Sequence, residues 1–145
     1  IKMSTTFKRI LVGVDDSADA MLAFEYAIQQ AIQTDAELII VSILENDEMN
    51  VYQALNKDYV HGERDELQKH LLKYQKQAQD AGAKHVKSII AEGEPGETIV
   101  KDVIPHLQPD LLIIGSIAKK GIARRFGSQA AYMAKYSPIS VLVIR

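Results

Sequence analysis

An α/β fold with a doubly wound parallel sheet is predicted by three features of the chain. Short apolar runs rich in branched residues alternate with longer segments of helical spacing, giving five strands and four helical segments in turn. Most runs lack polar alternation, as expected of strands covered on both faces by helices. The first strand, its helix and the second strand together fill residues 10–44, a size that implies a right-handed crossover between parallel strands.

Each element has its own signal. Ile10-Leu11-Val12-Gly13-Val14 follows Lys8-Arg9 and stops at Asp15-Asp16, so a central strand ends on two carboxylates. Ser17 is placed to cap a helix in which Ala20, Ala23, Phe24, Ala27, Ile28 and Ala31 form one apolar stripe, with Asp19 near its positive end. Glu37 to Leu44 is a second buried strand. From Glu45 to Glu63 the pattern weakens, and acids with scattered apolar residues predict a variable, partly helical insertion. Arg64 to Ala81 holds neither Gly nor Pro; Leu67, Leu71, Tyr74, Ala78 and Ala81 predict a long surface helix closed by Gly82. Val86 to Ala91 is the third strand. The turn Glu92-Gly93-Glu94-Pro95-Gly96 leads into a helix carrying Ile99, Val100, Val103 and Ile104, which Pro105 and Pro109 close. Leu111 to Ile114 is the fourth strand and Gly115 ends it; Ser128 is read as the N-cap of the last helix, and Ile139 to Ile144 as the last strand.

Length and composition narrow the function. At 145 residues the chain is expected to be one domain, 1–145, able to bury about two thirds of its unfolded surface. A net charge of −2 argues against a general attraction to nucleic acid. With no cysteine, disulfides and thiol chemistry are excluded, and an intracellular setting is expected. No apolar run approaches the ~20 residues of a membrane span, IKMSTTFKR lacks a signal-peptide core, and Met3 is read as the natural start.

The stretch from Asp110 to Ser128 is where chemistry concentrates. Gly115 ends a buried strand, Gly127-Ser128 opens a helix, and between them stand Lys119, Lys120, Arg124 and Arg125 without an acid. Free N–H groups at a helix start attract phosphate, and the cations could neutralise a polyphosphate; a solvated loop serving no ligand fits the same residues. In a doubly wound sheet ligands lie beyond the carboxyl ends of the strands where the winding reverses. If strands one and four are neighbours there, Asp15 and Gly115 face each other across one crevice. For Asp15 and Asp16, capping of the next helix and contact with Mg²⁺ or ribose are equal readings. The histidines His61, His70, His85 and His106 do not converge on that crevice, so nothing predicts turnover.

Lys8-Arg9-Ile10-Leu11-Val12-Gly13-Val14-Asp15-Asp16-Ser17, Gly93-Glu94-Pro95, the Asp110–Ser116 run, Gly127-Ser128 and the stretch from Ser137-Pro138 to Arg145 follow one another at distances that resemble the universal stress protein family. The resemblance implies a five-stranded sheet in the order 3-2-1-4-5 with helices on both faces, of the adenine nucleotide alpha hydrolase-like type. It also implies a cytoplasmic homodimer paired through the C-terminal strand and, in one branch, an ATP-binding sensor or regulator of the stress response. Another branch binds no nucleotide. Where the binding branch carries G-x2-G-x9-G-[ST], this chain reads G-x2-A-x8-G-S: Gly115, Ala118, Gly127 and Ser128, with Gly121 inside a loop one residue shorter. The Cβ of Ala118 disfavours positive φ at that step. By matching, Asp15 with Gly13 and Val14 would meet the adenosine end, the main chain near Ile43 would read adenine, and Gly115, Ala118, Gly127 and Ser128 would hold ribose and phosphates. The cofactor implied is ATP, with or without Mg²⁺.

Two other resemblances fail on their own terms. Val14-Asp15-Asp16 is similar to the acidic pair of response-regulator receivers, but the fourth strand ends in Gly115 where an acceptor aspartate would stand. The loop of ATP pyrophosphatases needs Gly-Gly before Asp15, which is absent, and no G-x4-G-K-[ST] loop occurs.

Overall fold

A computed structural model describes residues 6–45, 57–116 and 127–145, and of 57–62 the backbone alone. Strand β1 (Arg9–Gly13) runs between β2 (Glu37–Leu44) and β4 (Leu111–Gly115), with β3 (His85–Glu92) and β5 (Ser140–Ile144) at the edges. All pairings are parallel and the order is β3-β2-β1-β4-β5. The expected doubly wound sheet is therefore present. Ile10 pairs with Leu38 on one side and Leu111 on the other. Asp110 sets the second register: its carboxylate accepts from Lys8 N–H at 2.8 Å and Arg9 N–H at 2.9 Å, and its own N–H donates to Arg9 C=O.

Side-chain alternation along β1 divides the core in two. Ile10, Val12 and Val14 meet helices α1 (Ala18–Thr34) and α2 (Lys57–Ala81), through Ala23, Phe24, Ala27, Leu71 and Ala78. All six residues of the predicted α1 stripe are buried. Leu11 and, from neighbouring strands, Val41, Leu112 and Ile114 meet the opposite layer. That layer holds α3 (Pro95–Thr98), a π-helical turn (Ile99–Val103), α4 (Ile104–Leu107) and α5 (Ser128–Tyr136). A fully buried side chain such as Phe24 or Leu112 contributes roughly 1.5–3 kcal/mol.

Three features differ from expectation. Helix α2 begins at Lys57, not Arg64, with Gly62 inside it; a glycine costs about 1 kcal/mol relative to alanine, which a 25-residue helix packed on the sheet tolerates. Ala81, expected on its apolar stripe, is exposed because the helix is leaving the sheet at Gly82, whose φ is 119°. Pro105 does not end the third helical segment but sits within it. Its ring would collide with the carbonyl four residues back in an α-helix, and the wider π turn, closed by Ile104 N–H to Ile99 C=O, relieves that collision. The segment ends at Gln108, left-handed at φ 53°, just before Pro109.

Candidate functional site

A crevice of about 100 Å³ opens beyond the carboxyl ends of β1 and β4. One water needs ~10–15 Å³ on the same measure, so the space suits a ring rather than a solvent molecule. Its floor is Gly13, Val41, Ile43 and Ile114. Pro95 and Ile99, from α3 and the π-helical turn, and Ala130 and Met133, from α5, also line it, and Asp15, Glu45 and Gln129 add polar groups. Gly13, Val14, Asp15, Ile43 and Gly115, five of the residues expected at the site, all line this crevice.

Ile43 is positioned through its main chain. The β1–β2 ladder ends with Val14 N–H donating to Val41 C=O at 3.0 Å. By alternation the N–H and C=O of Ile43 point to the same side, past the place where β1 turns away. The carbonyl of Val14, which would come next in the ladder, instead accepts the hydroxyl of buried Ser42 at 2.9 Å. A donor and an acceptor side by side are what the edge of an adenine ring can pair with.

The two glycines of the crevice are glycines for different reasons. A Cβ on Gly13 would have nothing nearer than Ile114 Cγ2 and Ile99 Cδ1, both at 3.8 Å, so the missing side chain leaves room in the crevice itself. A Cβ on Gly115 would stand 2.6 Å from Ala20 N and 2.7 Å from the carbonyl carbon of Asp19. There the glycine lets β4 approach the first turn of α1.

That turn is held from several sides. Asp15 Oδ1 accepts from Ser17 N–H at 3.0 Å, and Ser17 Oγ caps α1 by accepting from Ala20 N–H at 3.1 Å. Ser116, 1% exposed, donates its hydroxyl to Asp19 Oδ2 at 2.6 Å and its N–H to Ile144 C=O. Its carbonyl accepts from Gly127 N–H at 2.7 Å, which places the start of α5 beside the end of β4. The N-cap of α5 is Gly127, not Ser128, and no side chain caps it. Ser128 is the first helical residue and does not line the crevice, whereas its neighbours Gln129 and Ala130 do. The cause is the bond to Ser116, which fixes Gly127 in extended geometry at φ −66° and ψ 149°. Ala118, Gly121, Lys119, Lys120, Arg124 and Arg125 lie outside the described residues, as does most of the 45–63 insertion.

Asp16 serves the opposite layer. Left-handed at φ 65°, it turns its carboxylate to α2, accepting from the Tyr74 phenol and lying 3.5 Å from His70 Nδ1. Tyr74 also meets the buried Phe24 ring edge-on at 5.3 Å. Burial above all, and then the bond to Asp16, pushes the Tyr74 phenol well above its ordinary pKa of 10.0. The native state therefore holds the neutral phenol, and this stabilisation is fully present below pH 10 and lost as the pH rises beyond it. Urea melts between pH 9 and 11 should show a decline in stability that is shallower in Tyr74→Phe; parallel slopes for the two proteins would contradict it.

Sequence reasoning missed Pro95, Ile99, Gln129, Ala130 and Met133 as crevice residues. The Gly-Glu-Pro turn and the helix after Gly-Ser were visible signals, but nothing in their spacing says that they meet. Among the described residues no group of three or more His, Asp or Glu could hold a metal, and no helix is long and apolar enough to cross a membrane.

The profile described as the Universal stress protein family matches residues 6–145. A chain of Staphylococcus haemolyticus named for that family is 30% identical over 141 residues, 97% of this chain and 86% of its own length. The structure of the universal stress protein UspA from Lactobacillus plantarum superposes with a TM-score of 0.85 at 25% identity, covering 98% of this chain and 100% of the other. A universal stress protein solved in complex with cAMP superposes with a TM-score of 0.68 at 25% identity, covering 97% of this chain and 98% of that one. With the sheet order, the crevice at the winding reversal and a profile match over nearly its whole length, the chain belongs to the universal stress protein family.

Proposed function

We propose that the chain binds an adenine nucleotide, ATP in the first place, and acts as a sensor or regulator in a stress response. The observation that carries this reading is the open floor over Gly13, where packing requires no glycine and a ring-sized space adjoins the main chain of Ile43. The neighbour solved with cAMP supports an adenine nucleotide as the ligand class. In this reading Ile43 meets the adenine edge, Val14 and Asp15 the adenosine end, and Gly115, Ala118, Gly127 and Ser128 the ribose and phosphates. The nucleotide assigned is ATP, with or without Mg²⁺. The reading assigns binding and no turnover.

We also propose a cytoplasmic homodimer paired along β5. Val141 to Ile144 are half-buried on an edge strand, and an edge strand offers unpaired N–H and C=O groups to a second copy.

The test is to purify the protein without added ligand, denature it and identify released nucleotide by chromatography and mass spectrometry, then titrate Mg-ATP, AMP and cAMP calorimetrically. Released or titratable adenine nucleotide is expected, with affinity falling as salt rises. No release and no heat at millimolar ATP would leave the second reading, a dimeric interaction protein with no nucleotide. One observation favours that alternative: packing against α1 accounts for Gly115 without any ligand.

A further inference from the structure

We propose that Gln129 is a positioning residue that sets the width of the crevice, by tying the turn at Glu94–Gly96 to the start of α5. The inference rests on the nucleotide reading of the same crevice. Gln129 is the second residue of α5, lines the crevice, and reaches the Glu94–Gly96 turn with its side chain. Its Oε1 accepts from Gly96 N–H at 2.7 Å, and its Nε2 lies 3.5 Å from Glu94 Oε1.

The bond is needed on both sides. Gly96 N–H belongs to the first turn of α3, where helical N–H groups have no partner within the helix. Glu94, the N-cap of α3, makes no side-chain cap, and Gly96 is buried. Gln129 thus supplies from another helix the cap that α3 lacks. The turn also lies directly on α5: a Cβ on Gly96 would stand 2.8 Å from Gln129 Oε1 and 3.1 Å from Tyr132 Cδ1. Pro95, one residue before this contact, and Ala130, one residue after Gln129, both line the crevice. Whatever holds Gly96 to Gln129 therefore bears on the separation of Pro95 and Ala130, and with it on the width of the crevice.

Removing the amide leaves a buried N–H without an acceptor, and the cheapest relief is for the turn to swing out toward water. Gln129→Ala should accelerate amide exchange at Gly96 more than tenfold in the ligand-free protein and weaken adenine nucleotide binding about tenfold. The exchanged pair Glu94→Gln with Gln129→Glu should restore both. Its carboxylate at 129 still accepts from Gly96 N–H, and the new amide at 94 donates to it. Restoration by this pair separates a hydrogen-bonded latch from simple loss of bulk.

That separation is read directly, without nucleotide, as the Pro95 to Ala130 distance in ligand-free crystals of the parent and Gln129→Ala. An unchanged distance, or unchanged exchange at Gly96, overturns the proposal whether or not any nucleotide binds. A widened crevice with undiminished nucleotide affinity also overturns it. Failure of the parent protein to bind any adenine nucleotide removes the functional reading, and with it the role of Gln129 in that reading, even where the distance changes.

Discussion

Gly115→Ala is expected to lower the melting temperature by about 5–10 °C. The new Cβ would stand 2.6 Å from Ala20 N, 2.7 Å from the Asp19 carbonyl carbon and 3.0 Å from Ala20 Cα. All three are backbone atoms, so no side chain can swing aside. Nor can α1 retreat cheaply, because Ala23, Phe24 and Ala27 pin its face at 0% exposure. The Ser116 hydroxyl, one residue on, would be drawn from Asp19 by the same displacement. Thermal melts followed by circular dichroism provide the measurement, with Gly13→Ala as the matched control expected within about 2 °C of the parent. Equal melting temperatures for the two alanine variants would mean that β4 does not approach α1 as described.

The second large effect is on binding. Gly13→Val should abolish adenine nucleotide affinity by more than ~100-fold while leaving the fold intact. Gly13 has an ordinary strand conformation, without the positive φ of Gly82 and Gly93, and valine is favoured in strands. The nearest atoms to its Cβ are at 3.8 Å, so the γ-methyls would extend into the crevice above Ile99 and Ile114. Stability should hold or rise, since a glycine within a strand costs about 0.5–1 kcal/mol. Calorimetric titration and a thermal melt on one preparation separate the two quantities. Undiminished affinity in a well-folded Gly13→Val protein would remove the ligand from the crevice floor.

Much of the fold was legible because its signals are local. The largely apolar runs at 10–14, 37–44 and 111–114 mark strands buried on both faces, and the α1 stripe from Ala20 to Ala31 needed only its spacing. Pro105 was misleading because the rule that proline ends a helix holds for α geometry, and the preceding turn is π. Ser128 is a good N-cap by type, yet the cap is decided by Ser116, twelve positions earlier in the chain. For the crevice, Asp15 and Gly115 were legible as strand ends at the winding reversal, whereas Gly13 came only from the family resemblance. The reason each glycine is a glycine was not legible, because it depends on whether α1 or empty space lies above it. Gln129 was invisible for the same cause: its partner, the Gly96 N–H, is 33 positions away, and no periodicity links a turn to a helix from another part of the chain.

The position of β1 also governs how the molecule can assemble. The earliest strand in the described chain becomes the middle of the sheet, and one of its neighbours, β4, lies about a hundred positions downstream, with Asp110 joining Lys8 and Arg9 across that span. A chain emerging from the ribosome can close the β1–α1–β2 unit early, but one edge of β1 then stays open until β4 arrives. Closing so long a loop is entropically slow, and parallel pairing of distant segments lengthens the time to the native state. Throughout that interval the N–H and C=O groups on one edge of β1 stand unpaired, so mispairing competes with the native arrangement until β4 docks.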